Sequence, residues 1–235
     1  MNFVITGAST GIGYQLAFKL AIEGHTVFAI ARRKELLEKL SKEVMLQKPE
    51  AKIYFLAGDI TNDFFTEAIA KEILQKEKFI NILINNAGTL INKPFEQLTS
   101  GDWKDVYSTN VFAVVDLIRK LLPLFSKTER NHILNISSMG GFQGSAKFKG
   151  LSAYSSSKAA LAGITECLAE EFKDKNIAVN CLCMGSVQTE MFAAAFPEFK
   201  AAITPAEAAK FVAEFAIDGS NFFNGKIIPV SNSTP

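Results

Sequence analysis

Short runs of consecutive apolar residues alternate along the whole chain with longer segments of helical periodicity. The runs at 2–6, 26–31, 52–57, 79–85, 131–137, 177–183 and 226–230 are rich in Val, Ile and Phe and predict β-strands. Several are apolar throughout, the pattern of strands covered on both faces. Between them the periodicity predicts helices near 12–24, 34–47, 61–77, 101–125, 153–174 and 205–217. End signals agree: Gly24 closes the first helix, Thr61 with Asp63 opens the third, and Thr204 precedes a first-turn proline at Pro205. Repeated β-α units predict an α/β fold, a doubly wound parallel sheet of about seven strands with helices on both faces. Pro229 interrupts the last strand and places it at a sheet edge.

Composition narrows the class. The 235 residues fit a single domain spanning 1–235, and 48% hydrophobic residues are ample for one large core. A net charge of +1, with both signs interspersed, gives no nucleic-acid surface and no polybasic membrane patch. No apolar run reaches the roughly 18 residues of a membrane helix. The first strand starts directly after Met1 and leaves no room for a leader, so a cytoplasmic protein is expected. Cys167, Cys181 and Cys183 are odd in number and lack C-x-x-C spacing, which reads as reduced thiols without a metal.

Candidate chemistry begins where the first strand ends. Thr6-Gly7-Ala8-Ser9-Thr10-Gly11-Ile12-Gly13 lies between the first strand and the first helix. Glycines there let backbone approach a pyrophosphate and aim the helix N-terminus at it. The second strand ends Ala31-Arg32-Arg33. A site for NAD usually places an acid at this point to grip the ribose hydroxyls. Arg32 and Arg33 offer positive charge instead, which suits a 2′-phosphate and favours NADP(H) over NAD(H); the alternative is that both arginines merely begin a solvated helix. Tyr154 and Lys158 are four apart and share a helix face. An ammonium beside a phenol favours phenolate, so the pair is expected to tune a tyrosine for exchanging the proton of an alcohol.

Further features follow in order: Asn85-Asn86-Ala87-Gly88 after the fourth strand, Asn110 inside a helix, and Asn135-Ile136-Ser137-Ser138 at the end of the fifth strand. With T-G-x-x-x-G-x-G, N-N-A-G and Y-x-x-x-K in this order, the chain resembles the short-chain dehydrogenase/reductase family, from Asn2 to about Thr189 and more weakly to Val230. The resemblance implies a Rossmann fold and an oxidoreductase that moves hydride between NADP(H) and a carbonyl or secondary alcohol. It implies Tyr154 as acid/base, Lys158 as the group that lowers its pKa and holds the nicotinamide ribose, and Ser138 as a hydrogen-bond partner of the substrate oxygen. Ser138 is preferred to Ser137 because strand alternation points Ser137 the other way. Asn110 would hold a water that links Lys158 to solvent. Gly7, Ser9, Gly11, Ile12 and Gly13 would line the pyrophosphate and adenosine side, and Asp59 would meet the adenine. Asn86 and Ala87 would pack along the cofactor, while Val187 and Thr189 would meet the nicotinamide amide and the phosphate.

The chain departs from the family pattern in three places. Met184-Gly185 replaces the usual Pro-Gly, and Ser138 to Tyr154 spans sixteen residues, somewhat more than is common. The stretch after Glu190 is short, and 231–235 lack the usual closing glycines. The least regular stretches, 139–151 and 186–204, hold Phe142, Phe148, Leu151, Met191, Phe192, Phe196 and Phe199. They read either as an apolar pocket wall with a substrate loop near 186–204, or as ordinary packing. With only Lys147, Lys149 and Lys200 as nearby cations, a small apolar ketone or aldehyde is the expected substrate, with a 3-oxoacyl thioester next. A non-catalytic NADP(H)-sensing module and a methyltransferase on a related sheet are the alternatives from other classes. The resemblance implies pairing through helices 101–125 and 153–174, hence a homodimer or homotetramer.

Overall fold

A computed structural model describes residues 1–231; of the tail segment 231–235, residues 232–235 lie outside the described residues. Seven strands form one sheet: β1 (Asn2–Thr6), β2 (Thr26–Ala31), β3 (Ile53–Ala57), β4 (Ile82–Asn85), β5 (Asn131–Ser138), β6 (Ile177–Met184) and β7 (Ile227–Val230). Their order is β3-β2-β1-β4-β5-β6-β7, and every pairing is parallel. The helices are α1 (Gly11–Ile22), α2 (Lys34–Gln47), α3 (Asp63–Lys76), α4 (Ser100–Tyr107), α5 (Ala113–Leu121), α6 (Ser152–Glu171), α7 (Glu190–Ala195) and α8 (Pro205–Asp218).

The apolar runs are explained by two cores, one on each face. Phe3 and Ile5 of β1 pack with Leu16, Leu37 and Val212 from α1, α2 and α8. Val4, between them, faces the other way and packs with Ile69, Leu117 and Leu161 from α3, α5 and α6. Strand alternation therefore sends consecutive apolar residues into different layers, and neither face tolerates a polar stripe. The chain winds outward from β1 to β3, then returns to place β4 on the other side of β1. The reversal opens a crevice at the carboxyl ends of β1 and β4, where doubly wound sheets bind ligands.

Several local expectations change. The expected strand from residue 79 begins only at Ile82, because Ile80 makes an isolated bridge to Phe125 and Asn81 N–H donates to the Asn2 carbonyl. The expected helix over 101–125 is α4, a π-helical turn at Ser108–Phe112, α5, and a 3-10 turn at Leu122–Leu124 that contains Pro123. Asn62, not Thr61, caps α3: its Oδ1 accepts from the N–H of Phe64 at 3.0 Å and of Phe65 at 3.2 Å. Thr61 is engaged by Asp59 instead. Thr204 and Glu207 form a capping box with Pro205 in the first turn of α8. The strand with Pro229 is an edge strand, as expected. No helix among the described residues is long and apolar enough to cross a membrane.

Candidate active site

The glycine loop is stitched to the end of β4. Thr6 Oγ1 accepts from the N–H of Asn86 at 3.1 Å and of Ala87 at 3.0 Å. The Asn86 amide donates back to the Thr6 carbonyl at 3.0 Å and the Gly7 carbonyl at 3.4 Å. This close approach dictates glycine. A Cβ on Gly13 would fall 2.4 Å from the Gly7 carbonyl oxygen, and one on Gly7, at φ +71, would fall 2.9 Å from the Ala87 Cα. Ser9 is buried, and Ile12 packs against the core on the α1 side. The result is a bare backbone cradle at the start of α1, in the crevice. It fits a dinucleotide pyrophosphate, which needs backbone N–H groups and no intruding side chain.

The other expected cofactor residues surround this cradle. Thr189 caps α7 through Phe192 N–H, and its methyl would lie 3.2 Å from a Cβ on Gly11. Val187 is buried and bridges to Ile203. Asp59 is exposed beyond β3, with Oδ1 accepting from Thr61 N–H and Oγ1, each at 2.9 Å. The two arginines differ. Arg33 donates to Thr10 Oγ1 at 2.7 Å, Ser9 Oγ at 3.4 Å and Glu190 Oε2 at 3.0 Å. Arg32 is exposed and has no hydrogen-bond or ion-pair partner among the described residues. Of the pair, Arg33 is the one tied to the glycine loop.

Across the crevice, Asn110 sits in the π-helical turn with 0% exposure. Its Oδ1 accepts from Thr89 N–H at 2.8 Å, and its Nδ2 donates to the Thr89 carbonyl at 2.9 Å and to Ser157 Oγ at 3.0 Å. Ser157 Oγ in turn donates to the Tyr154 carbonyl at 2.7 Å. The widened turn therefore clamps the first turn of α6, which carries Tyr154 and Lys158. Single-turn π insertions concentrate at functional sites for this kind of reason. Ser137 is buried and donates to the Lys158 carbonyl at 2.9 Å, whereas Ser138 is partly exposed, accepts from Gly140 N–H at 3.2 Å and lies close enough to the Tyr154 phenol to favour its charged form. Strand alternation sorts the two serines as expected.

Lys158 is 4% exposed; its Nζ donates to the Ile136 carbonyl at 2.8 Å and lies 6.0 Å from the centroid of the Tyr154 ring. Burial lowers its pKa from 10.5 to about 8. Burial likewise raises the Tyr154 phenol above 10.0, and the nearby Ser138 hydroxyl offsets only part of that. The sequence pointed to an ammonium that lowers the phenol. The structure gives a phenol held protonated, because desolvation acts on both groups and the ammonium is engaged by a carbonyl rather than by the phenol.

Three loops wall the space beyond. Asn92 Nδ2 donates to the Ala195 carbonyl at 2.8 Å, and Lys93 N–H donates to the Gly150 carbonyl at 2.9 Å. A groove of about 750 Å³ runs between Asn92, Phe95, Phe148 and Leu151, floored by Ser152 and Ser155. Phe192 and Phe196 pair on α7 with ring centroids 5.3 Å apart. Phe142 instead packs on Met139, Cys181 and Cys183, while Met191 and Phe199 are exposed. Cys181 and Cys183 are free and buried; Cys167 is free and exposed. Asn62, Phe95 and Ser157 carry no expectation from the sequence, and Thr6 enters there only as the first residue of the glycine-loop motif. Only Ser157 carried a local signal, three residues after Tyr154 on the same helix.

Comparison with known proteins agrees with this geometry. A family model described as short chain dehydrogenase matches residues 2–199. A fatty acyl-CoA reductase of Acinetobacter baylyi is 32% identical over 89% of this chain and 70% of its own length. A 3-oxoacyl-(acyl-carrier-protein) reductase of Thermotoga maritima is 30% identical over 97% of this chain and 94% of its own. The crystal structure of a short chain dehydrogenase of Escherichia coli CFT073 in complex with NADPH superposes with a TM-score of 0.88 at 28% identity, covering 97% of this chain and 95% of that one. A parallel seven-stranded sheet, a glycine cradle at its switch point and a Tyr-Lys pair on α6 therefore come with matching relatives over nearly the full length: the chain belongs to the short chain dehydrogenase family of oxidoreductases.

Proposed function

We propose that the protein is an NADP(H)-dependent reductase of small apolar ketones or aldehydes. The observation that carries this is the Tyr154 phenol on α6, close to Ser138 and beside a buried Lys158. The backbone of Gly7, Gly11 and Gly13 would hold a nicotinamide cofactor, which would supply hydride. Tyr154 then gives its proton to the carbonyl oxygen as negative charge develops there. Its upward shift keeps that proton in place at neutral pH, so the phenol starts as the acid. Ser138 donates to the same oxygen, where a preorganised dipole is most effective. Lys158, as ammonium, compensates the phenolate left behind. Asn110 fixes α6 through Ser157, and its widened turn is the place for the water that returns a proton to this pair. Arg33, drawn to Ser9 and Thr10 of the glycine loop, would hold the 2′-phosphate, and Thr189, close to Gly11, would meet the cofactor from the α7 side.

A 3-oxoacyl thioester is the second reading. It is favoured by the groove of about 750 Å³ beside α6, which exceeds what a small ketone fills, and by Phe95, Phe148 and Lys149 along it. A homodimer or homotetramer is part of the proposal, supported by the exposed Phe112 and Val115 on the α4–α5 side. The test is Tyr154→Phe, assayed at the nicotinamide absorbance with a panel of ketones, aldehydes and 3-oxoacyl thioesters. Turnover should fall at least about 100-fold while NADPH binding persists. Activity within a few-fold of wild type overturns the mechanism. Tight NADPH binding with no turnover by wild type on any panel member makes the chain a cofactor-sensing module.

A further inference from the structure

The lid helix α7 is held at both ends. At its start, Glu190 Oε2 accepts from Arg33 at 3.0 Å; at its end, the Ala195 carbonyl accepts from Asn92 at 2.8 Å. The first contact is unusual in its company. The Arg33 guanidinium, with the Ser9 and Thr10 hydroxyls of the glycine loop, forms a donor set suited to a phosphate, and a carboxylate from the lid already occupies one arm of it. We infer that Glu190 is a specificity-determining residue: it stands in for the 2′-phosphate on Arg33, and NADP(H) must displace it while NAD(H) need not.

The inference rests on the reading of Arg33 as the 2′-phosphate ligand. A 2′-phosphate on this guanidinium brings up to two negative charges within reach of the Glu190 carboxylate, and like charges at that range repel. The phosphate has the greater charge and more acceptor oxygens, so it takes the arginine. Glu190 then swings to solvent, and α7 loses its tie to the glycine loop while keeping its Asn92 tether. The carboxylate thus weakens NADP(H) binding by the strength of the pair it must give up. With side-chain exposures of 49% and 64%, that pair lies in the range of surface ion pairs, about two- to five-fold in affinity.

The experiment titrates NADPH and NADH by calorimetry into the full chain and its Glu190→Gln variant, without substrate. NADPH should bind the variant about two- to five-fold more tightly, with NADH unchanged. In wild type, NADPH but not NADH should raise amide hydrogen exchange across 190–195. NADPH bound equally or more weakly by Glu190→Gln, or exchange that responds alike to both cofactors, overturns the inference. Arg33→Ala separates the two possible failures. If it abolishes the NADPH advantage while Glu190→Gln does nothing, Glu190 alone was misread. If it leaves the NADPH to NADH ratio untouched, the 2′-phosphate reading of Arg33 fails and takes the inference with it.

Discussion

Asn110→Ala is the most informative single perturbation of the scaffold beneath the site. The substitution removes one bond accepted from Thr89 N–H at 2.8 Å, one donated to the Thr89 carbonyl at 2.9 Å and one donated to Ser157 Oγ at 3.0 Å. These losses are unequal. Ser157 Oγ still donates to the Tyr154 carbonyl, so losing one incoming donor costs it little. Thr89 is partly exposed, and water can reach one of its two orphaned groups. That leaves about one sealed backbone group at 1–3 kcal/mol and two cheaper losses near 1 kcal/mol or less, a total of about 2–4 kcal/mol. A domain with about 5–15 kcal/mol of stability survives that, so the variant folds and can be assayed. Urea denaturation should show the loss in midpoint at unchanged slope. Turnover at 25 °C should fall as well, because the first turn of α6 loses its clamp while still carrying Tyr154. Ser157→Ala, which cuts only the link to α6, should lower turnover with less than about 1.5 kcal/mol of destabilisation. A loss below about 0.5 kcal/mol for Asn110→Ala, with normal turnover, refutes the claim that this amide positions the site.

Other expectations follow from individual distances and shifts. Gly13→Ala should abolish detectable NADPH binding, since its Cβ would meet the Gly7 carbonyl oxygen at 2.4 Å and the Asn86 amide at 2.5 Å; calorimetric binding like that of wild type would show the loop to be compliant. Lys158, with a pKa of about 8, loses its charge as pH rises, so kcat/KM for carbonyl reduction should decline above about pH 8, and a flat profile to pH 10 refutes the role of that charge. His132 is 1% exposed, bonded through Nδ1 to the Ala216 carbonyl at 2.9 Å and through Nε2 to Asn180 at 3.1 Å, and burial lowers its pKa from 6.5 to about 4. The unfolded chain takes up that proton near pH 6.5 and the native protein only near pH 4. Stability is therefore complete above 6.5 and falls by up to about 3 kcal/mol on the way to pH 4. Urea midpoints measured across that window should flatten in His132→Gln, and parallel curves would refute the assignment.

What the sequence disclosed and what it concealed divide along a physical line. The strands were legible because Phe3 to Ile5 of β1 and Val27 to Ala31 of β2 each enter one of two cores, which makes those stretches apolar without a break. Thr204 and Pro205 were legible because capping is a local contact. The break at Ser108–Phe112 was not, because its cause is Asn110 reaching Thr89, twenty-one residues back, and Ser157, forty-seven residues ahead. α7 was expected to be irregular; its cap, Thr189, was noticed only as a cofactor contact. The direction of the Tyr154 shift was misjudged for a related reason. A charge four residues away is visible in a sequence, but the burial that raises the phenol belongs to the assembled crevice. The same holds for Arg32 and Arg33, equivalent as letters and separated only by which of them the backbone aims at Ser9 and Thr10.

The polar side chains along the carboxyl edge of the sheet explain how a crevice of loops keeps its geometry. Thr6 is joined to Asn86 across eighty residues of sequence. Asn85 donates to Asn135 at 2.8 Å in the aligned register of β4 and β5, and Asn135 donates to Thr165 on α6 at 2.9 Å. Asn110 and Ser157 make a separate link from Thr89 to the Tyr154 carbonyl. Asn85, Asn110, Asn135 and Thr165 are almost wholly buried, so each must find a partner or carry the cost of an unpaired amide or hydroxyl. Apolar residues of similar size would fill the same volume in many orientations, whereas these amides reach their partners in one arrangement of β1, β4, β5 and α6, in which Asn85 spends its Nδ2 on Asn135 and leaves its Oδ1 without a partner. The apolar layers hold the sheet together; this chain of amides fixes how α6 sits upon it, and hence where the phenol and the ammonium stand relative to the glycine cradle. Stability of the fold and accuracy of the site are thus supplied by different residues. Substitutions in the amide chain should therefore cost turnover out of proportion to their cost in stability.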